Sequence, residues 1–221
     1  MLRFSRPAMD DLRVTEIFYS LQGESRTVGW PTVFVRLTGC PLRCVYCDTS
    51  YAFSGGERQS LEQILDTVAG YAPRFVCVTG GEPLAQKGCQ TLLIQLADAG
   101  YEVSLETSGA MDVSGIDPRI SKVMDLKTPS SEEARRNLYG NLAFLTANDQ
   151  IKFVIMDDAD YQWSVEQLRQ HRLAERCEVL FSPAVGYQDA TELADKILND
   201  RLPVRFQMQL HKLLWGDAHG R

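Results

Sequence analysis

The feature that most constrains this chain is an alternation of short β-branched runs with amphipathic helical patterns along almost its whole length. The runs "TVFVRL" (32–37), "RFVCVT" (74–79), "YEVSLET" (101–107), "SKVMDLK" (121–127), "IKFVIM" (151–156), "EVLFSP" (178–183) and "VRFQMQL" (204–210) read as strands. Between them, Leu61, Ile64, Leu65 and Val68 recur at helical spacing behind Ser60, a suitable N-cap. Leu92, Leu93, Leu96 and Ala97 form a second stripe that stops at Gly100, a good residue to end a helix. Further helices read around 131–145, 160–173 and 189–200. Strands joined by helices imply a parallel sheet, because a parallel connection needs a long crossover. An open doubly wound sheet and a closed or partial barrel both satisfy that pattern. At 221 residues the chain is short for a full eightfold barrel of about 250. In either architecture function collects at the C-terminal ends of the strands.

Composition narrows the setting. The length suits one domain, 1–221, with 1–13 as a variable N-terminal extension. A net charge of −6 argues against a broad nucleic-acid footprint, which needs clustered Lys and Arg. No run approaches the roughly 18 apolar residues of a membrane span, and the N-terminus lacks a signal-like apolar core. The expectation is a cytoplasmic protein with no nucleic-acid or membrane partner. In a reducing compartment its six cysteines are thiols or metal ligands rather than a disulfide framework.

Three of them are gathered tightly. "GCPLRCVYCDT" (39–49) follows the first of these strands and places Cys40, Cys44 and Cys47 within eight positions. Buried core thiols are a poor reading, because Gly39, Pro41 and Arg43 make this a loop and not an apolar stripe. Structural zinc normally takes four Cys or His ligands, and no second pair is near; His171, His211 and His219 are remote in sequence. A four-iron cluster normally takes four thiolates, so three leave one iron open to a substrate or cofactor. Cys77, Cys89 and Cys177 lie on apolar positions and read as core thiols.

Other polar residues fall just after strands. "TGGEP" (79–83) pairs two glycines that let a backbone approach a ligand, though a plain turn would use them too. "ETSG" (106–109) offers Glu106 and Ser108, or else a capped turn; "MDLKTP" (124–129) offers Asp125 and Lys127, or else a surface ion pair. "FSPAVG" (181–186) offers Ser182.

C-x3-C-x2-C with Tyr46 before the last cysteine resembles the signature of the radical S-adenosylmethionine superfamily. The resemblance implies a partial (incomplete) TIM-like β/α barrel with a mostly parallel sheet. It also implies a [4Fe–4S] cluster on Cys40, Cys44 and Cys47 whose open iron chelates S-adenosylmethionine. Reductive cleavage of that cofactor gives a 5′-deoxyadenosyl radical, so the chemistry sits on the cofactors and no side chain is singled out as catalytic. Tyr46, Gly80, Gly81, Glu82, Glu106, Ser108, Asp125, Lys127 and Ser182 are the implied cofactor-binding residues: the "GGEP" backbone at the methionyl amine, Glu106 and Ser108 at the ribose, Lys127 at the carboxylate.

"IFYSLQGES" (17–25), "FVRLTGCPLRCVYCDT" (34–49) and "QLHK" (209–212) together resemble the 7-carboxy-7-deazaguanine synthases of queuosine and deazapurine biosynthesis, over about 14–212. That resemblance implies a carbon–nitrogen lyase that contracts 6-carboxy-5,6,7,8-tetrahydropterin to 7-carboxy-7-deazaguanine and releases ammonia. It implies substrate contacts from Leu21, Gln22, Gly23, Glu24, Arg36, Thr79 and His211, and a Mg²⁺ on Thr49 that also meets the substrate carboxylate. It further suggests a homodimer reduced by a carrier such as flavodoxin. The tail "LLWGDAHGR" matches no pattern.

Two rivals share parts of this pattern. A glycyl-radical activase shares the triad and "GGEP" but acts on a polypeptide, and "LQGE" with Thr49 favours the pterin. A zinc-stabilised interaction module would carry neither iron nor sulfide.

Overall fold

The computed structural model describes residues 11–221. Among these described residues nine strands form one sheet: β1 (Asp11–Leu21), β2 (Pro31–Leu37), β3 (Glu57–Ser60), β4 (Phe75–Gly80), β5 (Glu102–Thr107), β6 (Ser121–Asp125), β7 (Gln150–Ile155), β8 (Glu178–Pro183) and β9 (Arg205–Phe206). The helices are α1 (Leu61–Gly70), α2 (Cys89–Asp98), α3 (Asp158–Gln170), α4 (Ala190–Asn199) and α5 (Leu210–Trp215). The sheet order is β3-β1-β2-β4-β5-β6-β7-β8-β9. From β2 to β9 every pair is parallel, while β1 lies antiparallel to both β2 and β3. This is an open, mostly parallel α/β sheet, the partial barrel that the alternation allowed.

The side-chain period of two divides that sheet into faces with different tasks. Val35, Leu37, Val76, Val78, Leu105, Met124, Ile151, Phe153, Val179 and Phe181 are fully or almost fully buried and pack in two clusters with α1 and α2 or with α3 and α4. Their neighbours Phe34, Arg36, Thr79, Glu106, Val123, Asp125, Lys152 and Val154 point the other way and line a cleft. The apolar parity anchors the helices, and the polar parity is left free for chemistry. α1 begins with a reciprocal capping box, in which Ser60 Oγ accepts from Gln63 N and Gln63 Oε1 accepts from Ser60 N.

Four local expectations change. The expected 1–13 extension divides: residues 1–10 lie outside the described residues, while Asp11, Leu12 and Arg13 open β1 and pair with β3. β1 and β3 escape sequence reading because β1 carries a register shift between Val14 and Glu16, which breaks its alternation, and β3 is a polar edge strand. The stretch 131–145 is not an α-helix but three short 3-10 turns, Pro129–Ser131, Ala134–Arg136 and Tyr139–Phe144. Pro129 sets off the first turn, Glu132 closes it at φ 65°, and Asn137 ties its amide to both backbone groups of Lys127. The expected strand 204–210 is reduced to Arg205–Phe206, because the chain turns at Gln209 into α5.

Candidate active site

The loop after β2 carries the three cysteines, all half-exposed and all on the cleft wall. Its position is fixed from two sides. Gly81 N donates to Leu37 O and Glu82 N to Gly39 O, so the "GGE" backbone is hydrogen-bonded to the residues entering the triad. Val45 N donates to Ser131 O on the other side. Both glycines are demanded by contact. A Cβ at Gly80, which sits at φ +151°, would come 2.2 Å from Leu37 O, and one at Gly81 would come 2.3 Å from Gly39 O.

Among the described residues no three His, Cys, Asp or Glu side chains converge closely enough to hold a single metal ion. A cubane cluster asks for less convergence, because each thiolate meets a different iron. The three half-exposed thiols therefore fit a cluster better than a zinc ion. Burial pushes the Cys44 thiol up to about 11, so iron coordination, not the protein alone, would keep it ionised.

A cleft of about 600 Å³ opens beside the triad. Leu21, Gln22, Gly23, Glu24, Arg36, Tyr46, Thr49, Thr79, Gly80, Gly81, Glu106, Ser108, Asp125, Lys127 and His211 all line it, although they come from separate stretches of the chain between Leu21 and His211. Glu82 and Ser182 do not. Glu82 is fully buried, and its carboxylate accepts from Leu84 N, Ser108 N, and the hydroxyls of Thr107 and Ser108. It stitches "GGEP" to "ETSG", and only its backbone faces the triad loop. The Ser108 hydroxyl is engaged in the same stitch. Ser182 lies in β8, 2% exposed, paired in register with Val154 of the cleft wall.

The cleft is charged and only partly satisfied. Lys127 Nζ lies 2.7 Å from Asp125 Oδ2 and 5.6 Å from the Tyr46 ring centroid. Burial opposes its charge, but Asp125, Tyr46 and Cys44 together hold the ammonium well above the ordinary lysine range. Glu106 accepts from the Thr79 hydroxyl at 2.8 Å and, more loosely, from Gln22. Glu24 Oε1, Tyr46 Oη and Asp125 Oδ1 are buried with no hydrogen-bond partner, and all three residues line this cleft. Buried polar atoms are normally paired, so three orphans lining one cavity mark places for ligand atoms.

Several residues here carried no sequence signal. Glu16 takes Arg36 Nε at 2.8 Å and the Tyr51 hydroxyl at 2.7 Å, so the Arg36 guanidinium is anchored on one edge. Phe18 stacks on Phe34 with ring centroids 4.9 Å apart and supports Arg36 from below. Lys152 pairs with Glu24 at 2.7 Å. Thr49 donates to Asp48, which Gln209 also reaches. The tail from Gly216 to Arg221 also lines the cleft, with His219 stacked on Tyr51 at 4.1 Å. Glu16 and Phe18 lie in β1, whose pattern was unreadable, and His219 in the unpatterned tail, while Lys152 sits in a strand that was read but carries no motif.

The chain resembles known proteins in the same segments. The model of the radical SAM superfamily matches residues 34–127, from β2 through the triad to Lys127. A 7-carboxy-7-deazaguanine synthase from Chlorobaculum tepidum is 42% identical over 95% of this chain and 97% of its own. Another from Koribacter versatilis is 42% identical over 92% of this chain and 97% of its own. The crystal structure of QueE from Escherichia coli superposes with a TM-score of 0.76 at 25% identity, covering 91% of this chain and 95% of that one. Taken with the triad, the orphaned oxygens and the polar cleft, these full-length likenesses establish that the chain belongs to the 7-carboxy-7-deazaguanine synthase family of radical S-adenosylmethionine enzymes.

Proposed function

We propose that this protein is a carbon–nitrogen lyase that converts 6-carboxy-5,6,7,8-tetrahydropterin into 7-carboxy-7-deazaguanine with release of ammonia. The observation that carries the reading is that Leu21–Glu24 and the cysteines of the 40–47 loop, each specific to the family resemblance, line a single cleft. When bound, a [4Fe–4S] cluster and S-adenosylmethionine supply a one-electron route to a hydrogen-abstracting adenosyl radical.

The protein's own residues hold and orient. Cys40, Cys44 and Cys47 ligate the cluster; Gly80 and Gly81, packed against the residues entering the triad, offer their backbone to the cofactor's methionyl end; Lys127 and Asp125 offer a paired donor and acceptor to its amino-acid group. Tyr46, Glu82, Glu106, Ser108 and Ser182 shape the cofactor side, with Glu82 and Ser182 acting from buried positions. Leu21, Gln22, Gly23, Glu24, Arg36, Thr79 and His211 line the substrate side, where unpaired polar groups would be costly and therefore selective. Tail residues 216–221, which line the same cleft, exclude water from it.

Finer features belong to the same proposal. Thr49, with Asp48 2.7 Å away, helps hold a Mg²⁺ that binds mainly when the substrate carboxylate completes its oxygen shell. The chain acts as a single domain, as a homodimer in the cytoplasm, with a flavodoxin-type carrier as reductant. No helix among the described residues is long and apolar enough to cross a membrane.

The test is anaerobic cluster reconstitution followed by incubation with the tetrahydropterin, S-adenosylmethionine and a reductant. The expected outcome is a ring-contracted deazapurine with the cofactor regenerated. Iron and sulfide with cofactor cleavage but no deazapurine would overturn the substrate assignment.

A further inference from the structure

One cation in the cleft has no part in the reading above. Lys152 sits mid-strand in β7 between Ile151 and Phe153, both fully buried, and its own side chain is 14% exposed. A buried ammonium is costly unless paired, and its partner is Glu24, with Nζ 2.7 Å from Oε2. The pairing leaves something over on each side. Glu24 Oε1 is buried without any partner. Lysine has three N–H donors, and among the described residues Nζ gives one, to Glu24. Both side chains line the cleft. The pair thus shows a ligand one vacant acceptor beside unused cationic donors.

The complementary ligand edge is a carbonyl flanked by N–H groups. We infer that Lys152 is a specificity-determining residue that donates to the 4-oxo oxygen of the pterin while Glu24 accepts from the N–H groups beside it. The inference rests on the pterin reading and adds which chemistry is turned away. A 2,4-diaminopteridine presents amino hydrogens where the oxo oxygen should be, against an ammonium that has no acceptor to offer. A Lys152 that served only to neutralise Glu24 would leave the choice between 4-oxo and 4-amino ligands untouched.

The experiment compares ligands on the reconstituted enzyme. Wild-type protein must first form deazapurine from 6-carboxy-5,6,7,8-tetrahydropterin, since failure there removes the pterin reading and this inference with it. With turnover in hand, the 4-amino counterpart of the substrate is expected to compete about 10- to 100-fold more weakly than a 4-oxo counterpart. K152M should raise KM far more than it lowers kcat and reduce that preference several-fold, the remainder coming from Glu24 facing a ring nitrogen without its hydrogen, and K152R should restore most of it. Iron and sulfide content controls for folding of the variants. Equal competition by the two ligands in wild type, or an undiminished preference in K152M, overturns the inference. The wild-type comparison decides even where K152M does not fold.

Discussion

Glu82 and Gly23 show two ways in which a single residue supports this cleft without reaching the ligand. Glu82 fills its carboxylate with two backbone N–H groups and two hydroxyls, all buried. Glu82→Ala would orphan those donors, and a loss of about 2–4 kcal/mol in unfolding free energy is expected from urea titration under anaerobic conditions. Gly23 is required for a different reason. A Cβ there would stand 2.2 Å from His211 Nδ1, and Gly23 O accepts from Leu210 N. Gly23→Ala should push α5 off the pocket, raising KM for the pterin several-fold while leaving iron and sulfide content unchanged. Loss of the cluster in that variant would show that the contact has a wider role. Neither dependence is readable from the sequence, where Glu82 looks like a ligand and Gly23 like part of a motif. Their partners lie 26 and 188 positions away, and only folding brings them near.

At the scale of elements, helix ends and helix burial set the expectations. The capping box on α1 satisfies two otherwise unpaired N–H groups, so Ser60→Ala should cost about 1 kcal/mol of stability by the same titration. α2 carries a buried thiol at its start: Cys89 is fully buried, and desolvation pushes it up to about 12. An ordinary thiol ionises near 8.5, so above that pH the unfolded chain releases a proton that the folded chain retains. The folded state then binds more protons, and its stability must fall as pH rises from about 9 toward 12. Between pH 9.5 and 11, wild type should lose about 1–2 kcal/mol more than Cys89→Ala, which has no proton to give up. Identical pH slopes for the two proteins would refute the burial argument. The helices themselves were legible because their apolar stripes are local. The region 129–144 was not, since its shape follows from side-chain amides of Asn137 and Asn141 that hold distant backbone groups.

The whole molecule is an open sheet whose polar face becomes a site only when its gaps are closed. β1 and β3 extend one edge, and the tail lines the cleft, held by the His219–Tyr51 stack and the Lys212–Asp217 ion pair. Removing residues 217–221 should raise KM and increase cofactor cleavage that yields no deazapurine, measured as 5′-deoxyadenosine per product. Coupling as tight as in the full chain would deny the tail that role. The sequence by itself determined the parallel strand–helix alternation from β4 onward outside 131–145, the strand β2, and the three-thiol loop placed after it. Those are properties of periodicity and spacing, which neighbouring residues carry among themselves. Only the tertiary structure decided which polar residues meet: Glu24 with Lys152, Arg36 with Glu16 and Tyr51, Glu82 with Thr107 and Ser108. Side chains alternate between the two faces of a strand, but their partners depend on register across strands far apart in the chain. The desolvation that makes such a pair selective exists only once the sheet has closed around it.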